Sequence, residues 1–276
     1  MIKITEGEII CKLKYYQSKL LRSIDQLLNL GLTANNYKHT KRECMTVQKA
    51  IDLNNDGAKL HLEGNLAGAI DLYLLAIEEN PENATAYNNT GFAFAQAGEY
   101  DKAISYYRKS IEINPRSSRV RMNLGNALIV KELYDDGHKE LLKAAEIDSK
   151  NALVWESLAR LYWIRGKYKN AEAAWVNALT IDPASIKYRI ELAINCAAMN
   201  EYQNSIGILT DVLTLEPTNI RARTQLGIIY FLIEYINESE KILKDILMDD
   251  PDNETARYYT DLIIAKRNAL SEMTGN

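Results

Sequence analysis

The side chains able to do covalent or metal chemistry are few and scattered. His39, His61 and His138 stand apart, none at the short spacing that sets two ligands on one helix face or a base beside a nucleophile. Cys11, Cys44 and Cys196 are odd in number and widely separated, so they form neither a disulfide framework nor a metal cluster. No glycine-rich run suits a phosphate. The expectation is therefore no catalytic residue, no metal site and no cofactor. What the chain does carry in quantity is asparagine, whose amide both donates and accepts and so can satisfy the main chain of another segment whatever its side chains are. That chemistry holds rather than transforms.

The elements that would position these amides follow from a period. The five prolines stand at 81, 115, 183, 217 and 251, all on one series of 34 residues whose remaining slot, 149, is serine. Numbered from 50, 84, 118, 152, 186 and 220, the six copies share small residues at position 8 (Gly57, Gly91, Gly125, Ala159, Ala193, Gly227) and at position 20 (Ala69, Ala103, Gly137, Ala171, Ser205, Ser239). Two helices approach closely only where both lack bulk, so these columns mark the crossing of a first and a second helix. Large apolar residues surround it, Tyr73, Tyr107, Leu141, Trp175, Leu209 and Leu243 at position 24 among them. Cys196 falls in another such column, at position 11, and reads as core. The second helix begins at position 17, after a turn that carries glycine in some copies, and ends where proline cannot continue the ladder. A single hairpin of this kind has two apolar flanks, and stacking buries both.

Segments such as "NNTGFAFAQAGEYDKAISYYRKSIEINP" and "WESLARLYWIRGKYKNAEAAWVNALTIDP", the latter with Trp155, resemble the tetratricopeptide repeat. The resemblance covers residues 50–253 as six repeats (50–83, 84–117, 118–151, 152–185, 186–219, 220–253). It implies an all-α fold, a right-handed α-solenoid superhelix of stacked helical hairpins, whose first helices line the concave side through positions 2, 5, 6, 9, 12 and 13. Carried onto this chain, those positions make Asn54, Asn55, Asn88, Asn89, Asn123 and Asn126 an amide-rich inner face. Position 6 alone gives Asn55, Asn89 and Asn123, similar to the asparagine ladder of glycosyl-transferring members of the family. With first helices about 10 Å apart, such a ladder steps at about three residues of extended peptide. The alternative is an ordinary wet polar surface. Further along, Arg119, Arg160, Lys187 and Arg221 add positive charge that suits an acidic or C-terminal segment, or simply solvation. The family's carboxylate clamp for chaperone tails is not reproduced, because Asn89 matches it and Arg119 does so in charge only, while Asn54, Ala58 and Asn123 do not.

Residues 254–276 restart the period as a capping helix and tail, with Ile263 and Ile264 closing the last repeat. Residues 1–49 read as a helical cap or degenerate repeat, or else as an arm that docks elsewhere; their apolar stripe includes Leu13, Tyr16, Leu20, Ile24, Leu27 and Leu28. The net charge of −4, with both signs mixed, gives no reason to expect nucleic acid, and no apolar run is long enough to insert in a membrane. The acidic start lacks the pattern of a secretion signal, so a cytoplasmic protein is expected. The functional expectation is a protein-interaction module, an adaptor or scaffold that binds an extended peptide or protein segment on its concave face. A self-assembling scaffold, with association into a homo-oligomer, and a repeat-domain regulator of an enzyme are the alternatives.

Overall fold

The structure is a computed structural model that describes the backbone of residues 34–274 and the side chains of residues 45–270. The described residues form thirteen α-helices and no strand. The chain divides into two compact units that meet in sequence between Ile147 and Asp148. The first contains α1 (Ala34–Leu62), α2 (Leu66–Glu79), α3 (Ala84–Gln96), α4 (Tyr100–Ile113), α5 (Ser118–Val130) and α6 (Tyr134–Ile147). The second contains α7 (Ala152–Ile164), α8 (Tyr168–Ile181), α9 (Ile186–Ala198), α10 (Tyr202–Leu215), α11 (Ile220–Leu232), α12 (Ile236–Asp249) and α13 (Glu254–Thr274). Each unit is a stack of antiparallel hairpins, the solenoid architecture of the tetratricopeptide type.

Three local devices repeat along the chain. The residue before each first helix from α3 onward is Asn83, Ser117, Asn151, Ser185, Asn219 or Asn253, and each side chain accepts a backbone N–H from the first turn. Such capping satisfies a donor that the helix itself leaves orphaned. The turn into every second helix places one residue in the left-handed region: Gly64, Gly98 and Gly166, but also Glu132, Asn200 and Glu234, with φ of 60°, 62° and 67°. The third device is a clasp. Arg121, Arg189 and Arg257 donate to the carbonyls of Pro115, Pro183 and Pro251, and the Trp155 indole does the same to Ser149, each reaching back six residues.

α1 runs unbroken through residue 49, the expected edge of the first repeat. The reason is visible in the columns. Where later copies carry an Asn or Ser cap, this one has Lys49, and no proline stands two residues earlier. The expectations for residues 1–33 lie outside the described residues.

The small columns make the crossing expected of them. A Cβ on Gly125 would lie 3.1 Å from the Gly137 carbonyl oxygen, and one on Gly137 would lie 3.0 Å from that of Gly125. In the second unit the position 20 serines use this proximity, Ser205 Oγ donating to the Ala193 carbonyl at 2.6 Å and Ser239 Oγ to that of Gly227 at 2.8 Å. Position 24 is core throughout, from Tyr73 and Trp175 at 2% exposure to Leu141, Leu209 and Leu243 at 0%. Burial of each such side chain contributes about 1.5–3 kcal/mol. In α13, Ile263 is fully buried, whereas Ile264 is half exposed, so only the former closes the stack. Tyr259 packs edge-on to Phe231 and Tyr258 faces outward.

Candidate binding face

The first helices of the first unit present their asparagines to one another. Asn89 Nδ2 donates to Asn54 Oδ1 at 3.0 Å, Asn88 Nδ2 to Asn89 Oδ1 at 3.2 Å, and Asn123 Nδ2 to Asn88 Oδ1 at 3.1 Å. Four amides from α5, α3 and α1 thus form one chain of hydrogen bonds in which every donor points toward the N-terminal helix. Asn54 is nearly buried, and Asn88, Asn89 and Asn123 are half-buried. The periodic ladder expected at position 6 is therefore built from positions 5 and 6 together. Asn55, in the first rank of that ladder, stands outside the chain and is exposed, and Asn126, one turn after Asn123 on α5, is half-buried. Among the described residues, Asn55, Asn126 and Arg119 make no side-chain hydrogen bond or ion pair.

The chain of amides has a chemical consequence. An asparagine has two N–H donors. Asn88, Asn89 and Asn123 each spend one on a neighbour, and Asn54 spends none. Three of the four oxygens already accept one bond, and each oxygen has two lone pairs, so the group keeps unused donors and unused acceptors in equal number. A peptide main chain, which offers both carbonyl oxygens and N–H groups, suits it.

In the second unit the expected cations are committed. Lys187 Nζ lies 2.6 Å from Glu156 Oε1, Arg160 stands 3.8 Å from the same oxygen, and Arg221 lies 2.7 Å from Glu191 Oε1. Their heads are half to three-quarters exposed, over carboxylates that are much less so. Glu156 is the residue that the sequence reading passes over: its side chain is 9% exposed, and its second oxygen is buried without a hydrogen bond. Burial, with the negative charge of Glu156 close by, pushes the Tyr188 hydroxyl above its ordinary pKa. The sequence signal was available, since Glu156 occupies the same inward position 5 as Asn54 and Asn88.

A second missed feature lies on the first unit. Phe92 of α3, at position 9, is 43% exposed and stacks on His61 of α1, with ring centroids 5.5 Å apart and planes 22° from parallel. Both nitrogens of that imidazole are engaged, Nε2 with Gln96 Oε1 at 2.5 Å and Nδ1 with the Tyr73 hydroxyl at 3.5 Å.

Elsewhere the chemistry is structural. Ligand atoms of Glu172, Cys196 and Glu201 lie within 4.8 Å of one another. Burial, and then the two carboxylates, push the Cys196 thiol up to about 11, so it stays protonated where a metal ligand needs thiolate. An open groove of about 400 Å³ between α4, α5 and α6 holds the Arg121–Glu140 pair at 2.6 Å, both side chains largely buried. No described helix is long and apolar enough to cross a membrane.

Repeated hairpins, capped first helices and an inward row of polar groups define a helical-repeat module. Residues 84–117 and 119–186 match family models of the tetratricopeptide repeat, so the chain carries repeats of that family. Among solved structures it is similar to that of pilF from Pseudomonas aeruginosa, with a TM-score of 0.67 and 18% identity over 78% of this chain and 98% of that one. It is also similar to YrrB, described as a tetratricopeptide-repeat protein with an unusual peptide-binding site, at a TM-score of 0.57 and 21% identity over 68% of this chain and 97% of that one. A third is residue 41 to the end of MamA from Desulfovibrio magneticus RS-1, at a TM-score of 0.57 and 19% identity over 62% and 97%. No curated protein sequence matches the chain.

Proposed function

We propose that this chain is an adaptor or scaffold that holds an extended segment of another protein against its first helices, and that Asn54, Asn88, Asn89 and Asn123 bind the main chain of that segment. The observation that carries this reading is the one-way amide chain across three first helices, because it orients the side chains and leaves unused N–H groups for carbonyls. Asn55, Asn126 and Arg119 extend the same surface. The second unit, taken by itself, offers Arg160, Lys187 and Arg221 as ion-paired heads rather than as free charges, so any pull on an acidic segment there is partly offset by Glu156 and Glu191. The cysteine usage supports a reducing, cytoplasmic location.

The test is affinity capture from the source cell, identification of the bound segment, and calorimetry of that segment with variants. Replacing Asn88, Asn89 and Asn123 by alanine together should preserve the circular dichroism spectrum. Each lost hydrogen bond is worth about 0.5–1.5 kcal/mol, so the triple variant should bind about tenfold to a thousandfold more weakly. Because amides are neutral, that loss should persist at high salt, whereas any loss in an Arg119→Ala variant should shrink. Unchanged affinity in the triple variant would move the site off this face.

A further inference from the structure

The two units differ in the chemistry of the positions that the resemblance turns inward. In the first three repeats, eighteen residues occupy positions 2, 5, 6, 9, 12 and 13, and only Arg119 is charged. The same positions of the last three repeats hold five charges: Glu156, Arg160, Lys187, Glu191 and Arg221. The chain as a whole is 25% charged, so a random set of eighteen residues would carry four or five. The first unit is depleted and the second is not.

What fills the first unit instead is ordered in two rows. Positions 5 and 6 supply the amide chain. One helical turn after position 5, about 5–6 Å along the helix face, position 9 supplies Phe92, and two turns after it position 13 supplies Leu62 at 90% exposure and Val130 at 54%. Phe92 is held from behind, since the imidazole it stacks on is itself tied to Gln96 and the Tyr73 hydroxyl. An exposed aromatic ring that is fixed in place loses little conformational entropy when something packs on it. An amide row that can bond a main chain lies one turn from the Phe92 ring, which is about the reach of a large side chain from its own backbone.

Resting on the reading above, we propose that the first-helix face of the N-terminal unit receives a segment of a stated kind: extended, without charged residues across its centre, and carrying one large apolar side chain that packs on Phe92. Charge complementarity sets the first condition. A carboxylate held against these amides and this ring would be desolvated with only Arg119 to meet it, and an ammonium with no carboxylate among these eighteen positions. The fixed ring sets the second.

The probe is a display library of random twelve-residue peptides, panned on the full-length protein, with the selected peptides remade and measured by fluorescence polarisation. The selected set should share one large apolar residue and exclude Asp, Glu, Lys and Arg from its neighbours. Phe92→Ala, an exposed change whose fold is checked by circular dichroism, should weaken binding about tenfold or more, as should alanine at the shared apolar residue of the peptide. The two changes together should cost little more than either alone, the sign of a direct contact. Lys169→Ala, an exposed change on the second helix α8, should leave affinity within about twofold, because it lies on no first helix. An acidic consensus, weakened by Arg160→Ala and by the asparagine triple variant but not by Phe92→Ala, would overturn this inference and leave the first-helix reading standing. Peptides indifferent to Phe92→Ala and to the triple variant alike, or no selection at all, would overturn both.

Discussion

Gly125 and Gly137 face each other across a close helix crossing, and a single methyl group should expose it. Ala at 125 places a Cβ 2.8 Å from Leu141 Cγ, 3.0 Å from Leu141 Cδ2 and 3.1 Å from the Gly137 carbonyl oxygen. Leu141 is fully buried and the carbonyl belongs to a helix, so neither can swing aside. The helices must part by a few tenths of an ångström, and overpacking of this kind costs about 1–3 kcal/mol. Against that stands the gain of about 1 kcal/mol for alanine over glycine inside a helix. The net expectation for Gly125→Ala is a loss of about 1–2 kcal/mol. Gly207, inside α10, is the control: a Cβ there meets nothing within 4 Å, so Gly207→Ala should show the helix gain alone, about 0.5–1 kcal/mol. Gly227 lies between, because its nearest contacts are a little longer, 3.1 and 3.2 Å to Leu243, and its three nearest atoms are all side-chain atoms. Urea unfolding followed by circular dichroism should rank the three variants in that order. If Gly125→Ala stabilises as much as Gly207→Ala does, the crossing is not a close contact and the assignment of the small columns is wrong.

Four further outcomes are expected. Glu132→Gly and Glu234→Gly should each raise stability by about 0.5–1 kcal/mol, since both residues hold a positive φ that suits glycine; a loss in urea titration would contradict this. Arg121→Ala should cost about 1–3 kcal/mol in the same assay, because it takes one of two cations, leaving Lys143, from a largely buried carboxylate and opens the clasp on Pro115; a cost below about 0.5 kcal/mol would class the pair with surface ion pairs. Burial alone would raise the Glu140 carboxyl, but hydrogen bonds and charges from Lys143 and Arg121 outweigh it and hold the group below its ordinary 4.5. The folded chain therefore binds this proton more weakly than the unfolded one, and the stability it brings is present above pH 4.5 and lost as pH falls through the depressed value. Thermal melts of Glu140→Gln should show a shallower acid slope than the parent. Finally, with Cys11 and Cys44 replaced by serine, Cys196 should resist a thiol reagent at neutral pH until denaturant is added, because its thiol is buried and pushed up to about 11; prompt labelling of the folded chain would overturn its place in the core.

The fold was legible because a 34-residue period writes each structural demand many times. Position 17 carries the first residue of every second helix, Leu66, Tyr100, Tyr134, Tyr168, Tyr202 and Ile236, and position 24 is core in all copies. A column speaks where one copy is ambiguous. The left-handed turn was half visible, because Gly64, Gly98 and Gly166 announce it while Glu132, Asn200 and Glu234 adopt it silently. The caps were hidden in plain composition: part of the abundant asparagine serves helix starts and part serves the inner face, and only geometry separates Asn83 from Asn89. At the site, the inward positions were readable, but partner choice was not. That Asn89 bonds Asn54, and that Lys187 finds Glu156, depends on how adjacent helices are offset, which no single column records.

The clasp that reaches back six residues explains how the series survives a missing ring. At 149 the chain has serine in place of proline, and the Trp155 indole nevertheless takes the carbonyl of that residue as Arg121, Arg189 and Arg257 take those of prolines. The recognised group is a main-chain oxygen, which every amino acid supplies. The turn is therefore specified from downstream, by whatever donor stands at position 4, and the proline is free to drift. Two junctions lack the lock: Tyr87 makes no such bond, and Arg223 turns instead to Asp249. Under a stretching force these two seams, before α3 and before α11, should give first, so the array yields in a sequence fixed by its junctions rather than by its cores.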